Sequence, residues 1–201
     1  PLAAEYVKKG LEPRIKSPQE MIDYVHSRNA HLMISIWANF GPWTPQFEEL
    51  NAIGALYPFE TWPTNRGVRP YDPFNPEARE IYWKYLKHLY GMNIDAWWSD
   101  STEPDHFEKP GDDDHLTADG SWRSVKNAFP LMTNKGIYEK LRQQKGNDKR
   151  AFMMTRSSSF GIQHYGTFSW SGDITSTWET FKNQIPSGLN YILCGIPYWN
   201  T

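Results

Sequence analysis

Cysteine is almost absent from the 201 residues: Cys194 stands alone, which excludes an internal disulfide framework and a thiolate metal cage. Neither sign of charge dominates. The 21 Lys and Arg against 23 Asp and Glu leave a formal net charge of −2, and the basic residues are scattered, which excludes the electrostatic footprint of a nucleic-acid binder. No run of about 18 apolar residues is available for a membrane span, and the mean hydropathy is −0.70. Motifs for several chemistries are also missing. There is no His-Glu-x-x-His for zinc, no Gly-x-Gly-x-x-Gly for a dinucleotide and no Gly-x-Ser-x-Gly around Ser157–Ser159 for a serine hydrolase. Asp112-Asp113-Asp114-His115 lacks the spacing of a calcium loop and reads as a solvated loop. No metal and no organic cofactor is expected. The N-terminus, Pro-Leu-Ala-Ala-Glu, carries neither an initiator Met nor a signal peptide. The expectation is a piece of something longer, with its compartment (periplasmic, extracellular or cytoplasmic) open.

What the chain does have is aromatic surface: 10 Trp, 11 Tyr and 10 Phe. Flat apolar faces with an N–H handle serve packing, and they also serve sugar binding. Hydrophobic residues at 39% and charged residues at 22% are those of a folded chain.

Helical and extended patterns alternate along the sequence. Helices are predicted over 17–29 (capped by Ser17, with Met21, Ile22 and Val25 on one face), 45–53, 75–90 and 124–144, the last interrupted at Pro130 and Gly136. In the third, Glu80 is set four residues before Lys84 on the outer face, and Gly91 closes the helix. A further helix is predicted over 176–187 with Trp178, Phe181 and Ile185 inward. Strands are predicted over 31–37, 94–100, 150–156, 166–170 and 190–196, the last placing Cys194 in a buried apolar strand. Continuously apolar strands between helices point to an α/β fold with a covered parallel sheet. A doubly wound sheet would carry a glycine fingerprint after a strand. A (β/α)8 barrel would carry polar residues at the C-terminal ends of several strands. Asp100, Arg156 and Asp173 sit at or just past such ends, which favours the barrel. About five of its eight strands are present, so residues 1–201 read as one segment of a barrel cut at both ends.

Four carboxylates crowd Ile94–His106: Asp95, Asp100, Glu103 and Asp105. Asp105 reads as a loop or ion-pair residue. Trp98 and Asp100 point to the same side of an extended chain, which puts an aromatic wall beside a strand-end carboxylate. A second pairing occurs in Trp170-Ser-Gly-Asp173, where Asp173 reads either as a helix cap or as a second working carboxylate. Arg156 ends a Met-rich strand, and a guanidinium there requires anions or hydroxyls. Two strand-end carboxylates and an Arg, rimmed by Trp, fit glycoside chemistry with one nucleophile and one acid/base.

The segments 94–105, 155–159 and 170–179, with Asn-Ala-His-Leu-Met-Ile-Ser-Ile-Trp and Ser-Gly-Leu-Asn-Tyr-Ile-Leu-Cys-Gly-Ile-Pro-Tyr-Trp-Asn-Thr, resemble glycoside hydrolase family 31 from about Pro18 to Thr201. The resemblance implies a retaining, exo-acting α-glycosidase on a (β/α)8 TIM barrel. It implies Asp100 as nucleophile, Asp173 as acid/base, Arg156 on substrate hydroxyls, and Trp98, Trp170 and Trp37 around the terminal sugar. Glu103 would support its loop. The Asp-Ala-Trp-Trp-x-Asp-x-Thr-Glu-Pro-Asp form leans toward the α-xylosidase-like members over the α-glucosidases. The expected partner is an oligosaccharide or glycoside, together with the remaining barrel strands and accessory domains of a parent chain, which would supply a further substrate-binding Asp and a His. Two other readings stay open: an α-transglycosylase of the same family, and a non-catalytic carbohydrate-binding module. Cut from its neighbours, such a segment would expose strand edges and is not expected to fold stably alone.

Overall fold

The computed structural model describes residues 17–103, 111–144 and 148–200. Asp105, read above as a loop or ion-pair residue, lies outside the described residues. Five parallel strands form the main sheet: β1 (Met33–Trp37), β2 (Ala96–Asp100), β3 (Met153–Thr155), β4 (Thr167–Trp170) and β5 (Trp199–Asn200). Their spatial order is their chain order, with no reversal. A doubly wound sheet requires a switch point where that order reverses. Sequential order is that of a barrel wall, and among the described residues the wall is open at β1 and β5.

Helix α1 (Pro18–Ser27) precedes β1, and α2 (Pro45–Ala52), α3 (Pro76–Gly91), α4 (Phe129–Gln143) and α5 (Trp178–Leu193) lie between successive strands in the sequence. Their starts are written locally. Side-chain oxygens of Ser17, Thr44 and Asn75 each accept from a backbone N–H in the first turn, and each is followed by Pro at the first helical position, where a missing N–H costs nothing. The core lies between the helices and one face of the sheet. It gathers Ile36, Trp97 and Met153 from the strands with Tyr82, Trp83, Leu86, Phe129 and Leu141 from the helices. The opposite face of the sheet, the barrel interior, carries Ser35, Trp98, Met154 and Phe168 at one level. The alternation is plain on β2, where Trp97 and Ser99 are 2% and 1% exposed and Trp98 is 39% exposed.

Several sequence expectations are corrected. The stretch 190–196 is not a strand: α5 runs on to Leu193, and Cys194 is its exposed cap. Pro186 and Gly188 look like stop signals, but the helix passes through both. At Gly188 the reason is packing, since a Cβ there would lie 2.9 Å from the Trp199 ring. The apolar face of α5 is exposed, with Trp178, Phe181 and Ile185 at 87%, 58% and 59%, because no described element lies against it. Gly136 does not interrupt α4; it lets the Arg79 stem pack close. Pro130 sits in the first turn of that helix. Asn93, at φ 70°, takes the left-handed position after α3 that Gly91 was expected to hold. Lys84 pairs with Glu49 of α2 at 2.7 Å, and Glu80 pairs with Lys140 of α4. Both charges reach across helices rather than along one.

Candidate active site

The register of the sheet brings the strand ends to one level. Trp37 is paired with Asp100, Ser99 with Thr155, Thr155 with Ser169, and Trp170 with Asn200. One step beyond Thr155 comes Arg156, whose N–H donates to the Ser99 carbonyl at 3.2 Å. Trp37, Asp100, Arg156 and Trp170 therefore form one rung at the C-terminal edge of four consecutive strands, the end at which barrel enzymes carry their sites.

Within this rung Asp100 and Arg156 are in contact, with Nη1 to Oδ1 at 3.3 Å. The same Oδ1 accepts from the Ser101 N–H at 2.7 Å. Among the described residues, the second oxygen, Oδ2, has no partner. Ser101 is buried and held at φ 52°, a conformation that a non-glycine residue adopts only when its surroundings enforce it. This turn folds the chain back so that Glu103 also meets Arg156 and accepts from the Ser157 hydroxyl. Arg156 thus joins two carboxylates of one loop, as its fork of five N–H donors allows.

The aromatic walls stand around this pair. Trp98 and Trp170 meet edge to face, with ring centroids 5.6 Å apart at 89°. Trp37 packs against Trp62, 5.3 Å apart at 36°. A cavity of about 430 Å³ opens beside the rung, lined in part by Glu103, Arg156, Trp170, Tyr191 and Trp199. That is within the range of small-molecule pockets. Among the described residues, no group of three His, Cys, Asp or Glu side chains is close enough to hold a metal ion. Asp113 of the Asp112–Asp114 run pairs with Lys126 and Arg123, at 3.1 and 3.5 Å.

Asp173 is not gathered into the ion pair. It is exposed on the loop after β4, three residues past Trp170, where Gly172 at φ 78° turns the chain. The cap of α5 is Thr177, so Asp173 is not the cap it was read as in one alternative. Trp62 was missed by sequence reasoning. It is 57% exposed, and its carbonyl accepts from Asn39 Nδ2 at 3.4 Å, the same amide that reaches the Ser101 hydroxyl. Nothing in the proline-punctuated loop 61–75 marks that Trp except its type.

Residues 10–201 match the family described as the glycosyl hydrolases family 31 TIM-barrel domain. The chain belongs to glycoside hydrolase family 31. It is 38% identical over 189 residues to an alpha-xylosidase of Saccharolobus solfataricus, covering 92% of this chain and 24% of that protein. It is 31% identical over 195 residues to an uncharacterized family 31 glucosidase of Pseudescherichia vulneris, covering 92% of this chain and 35% of that one. Among solved family 31 structures, the alpha-xylosidase of Xanthomonas citri superposes with a TM-score of 0.83 at 33% identity, over 91% of this chain and 21% of that one. The chain thus spans between about a fifth and a third of the length of these family 31 proteins.

Proposed function

We propose that this segment supplies the reacting carboxylates of a retaining, exo-acting α-glycoside hydrolase. Asp100 is the nucleophile, Asp173 is the acid/base, and Arg156, Trp37, Trp98 and Trp170 bind the terminal sugar. The observation that carries the reading is the rung at the strand ends, where Asp100 engages Arg156 through Oδ1 only. Oδ2, without a partner among the described residues, offers the lone pair for attack. In the first step that oxygen bonds to the anomeric carbon, the glycosidic C–O bond breaks, and the Asp173 carboxyl gives its proton to the departing oxygen. In the second step the Asp173 carboxylate takes a proton from water, the water oxygen bonds to the anomeric carbon, and the ester to Asp100 breaks. Two inversions leave the anomeric configuration unchanged. The exposed loop position of Asp173 suits a group that must meet both a leaving group and water.

A terminal α-xylosyl group is the proposed substrate, ahead of α-glucosyl. The alpha-xylosidase names of the Saccharolobus and Xanthomonas relatives support this choice, at 38% and 33% identity, against 32% for a neutral alpha-glucosidase C of Macaca fascicularis and 31% for the Pseudescherichia glucosidase. The test uses the full-length protein and a fluorinated α-xylosyl donor that forms the glycosyl ester faster than the ester hydrolyses. Peptide mapping should find the ester on Asp100. Recovery of the label on another carboxylate, or no label while aryl α-xyloside is turned over, refutes the assignment. The ratio of kcat/KM for aryl α-xyloside to aryl α-glucoside then decides between the sugars.

A further inference from the structure

Arg156 reaches Asp100, yet nothing in its own side chain determines where its backbone stands. A buried network does. Thr102, two residues after Asp100, and Thr155, one residue before Arg156, are each 0% exposed, as is Asn134 of α4. Their contacts define a single direction of donation. The Thr155 hydroxyl donates to the Ser157 carbonyl at 3.0 Å. Its one proton is then used, so in the 3.0 Å contact between the two threonines Thr102 is the donor. Asn134 Nδ2 donates to the same Thr155 oxygen at 3.2 Å. The Thr102 oxygen in turn accepts the Ser157 N–H at 3.0 Å. Both backbone groups of Ser157 are therefore gripped by the two threonine hydroxyls. With the Arg156 N–H on the Ser99 carbonyl, the backbone is clamped on either side of the guanidinium.

We propose that Thr102 is a positioning residue: its hydroxyl staples the Asp100 loop to the Ser157 backbone and so sets Arg156 against Asp100. The inference rests on the reading of Asp100 as nucleophile. The staple is specific because it comes from the loop that carries the carboxylate and grips the loop that carries the cation. A valine at 102 keeps the volume but leaves the part-buried Ser157 N–H without its partner, and the loop must shift to solvate it. Displacements of about 1 Å at a reacting centre cost on the order of 100-fold.

The test compares Thr102→Val with Thr102→Ser in the full-length protein, on aryl α-xyloside. Thr102→Val should lower kcat by about 10- to 100-fold and slow ester formation on Asp100 by the same factor, with a smaller change in KM. Thr102→Ser should retain turnover within about threefold, since it keeps the hydroxyl. Thermal melts accompany each assay, which is run well below the melting temperature. If Thr102→Val does not fold, Thr102→Ala and Thr102→Ser supply the contrast, since these two differ only by the hydroxyl. Wild-type kcat in folded Thr102→Val, or serine as impaired as alanine, overturns the proposal. A label on a carboxylate other than Asp100 in the wild-type protein refutes the nucleophile assignment instead, and the threonine contrast still reports whether the hydroxyl positions the loop.

Discussion

Asp95 and Asp100 stand at opposite ends of β2 and share a residue type, but their surroundings are opposite. Asp95 precedes the strand, with its side chain 9% exposed, and all its acceptor sites are filled. Oδ1 meets His31 and Lys149, at 3.1 and 3.4 Å; Oδ2 meets His26 and the Leu32 N–H, at 2.7 and 2.9 Å. Burial pushes its carboxyl up, but the Leu32 N–H, the two imidazoles and the Lys149 ammonium outweigh it and hold the group far below the usual carboxylate range. Asp100 is 22% exposed and both its partners share one oxygen. A carboxylate has about four lone-pair sites. Filling them all makes a structural joint between α1, β1, β2 and the start of β3. Leaving one oxygen open, as the described residues do at Asp100, suits the nucleophile proposed for it.

The comparison breaks most sharply through substitution. Asp100→Ala should lower turnover by at least about 10⁴-fold with the melting temperature little changed. Adding azide should yield the inverted β-glycosyl azide, because azide occupies the vacated face. Asp173→Ala should cost about 10²–10⁴-fold on glycosides with poor leaving groups. Substrates with activated leaving groups should be spared, and azide should there yield the retained α-azide. The anomer of the product, read by NMR, assigns the two roles independently of rate. Identical anomers from both variants refute the division of labour.

Arg156→Lys sharpens the same contrast at the site end. A lysine preserves charge but not the fork that meets Asp100 and Glu103 together. A fall of about 10²-fold in kcat/KM is expected, with ester formation on Asp100 slowed in proportion. Unchanged kinetics would mean that the guanidinium geometry does not matter to the chemistry.

Sequence reasoning located the strand ends well and the packing poorly, for a physical reason. Strand cores such as Met33–Trp37 and Ala96–Asp100 carry period-two information, so the placement of Trp98 and Asp100 on one face followed from spacing alone. Caps at Ser17 and Asn75 are equally local. The stretch Asn190–Ile196 is apolar at every period and too short to distinguish a helix end from a strand. Glu103 and Trp62 take their place from Arg156 and Trp37, more than 20 residues away, and no local pattern encodes such a pairing. The Thr102–Thr155 contact is of the same kind.

At the other end of β2, Asp95→Asn should leave kcat and KM unchanged while destabilising the protein by about 2 kcal/mol, the scale of hydrogen bonds to a charged group. The Leu32 amide, which donates to Asp95, should lose hydrogen-exchange protection in that variant. A loss of activity in folded Asp95→Asn would show that the two ends of the strand are coupled.

The smallest effect is in the pH dependence of that difference. The folded carboxyl of Asp95 is held below its unfolded value, so its contribution is complete above the unfolded pKa of about 4 and is lost as pH falls toward the folded one. The melting-temperature advantage of wild type over Asp95→Asn should narrow progressively below about pH 4. An advantage that stays constant into that acidic range would mean that Asp95 stabilises the joint by shape rather than by its charge.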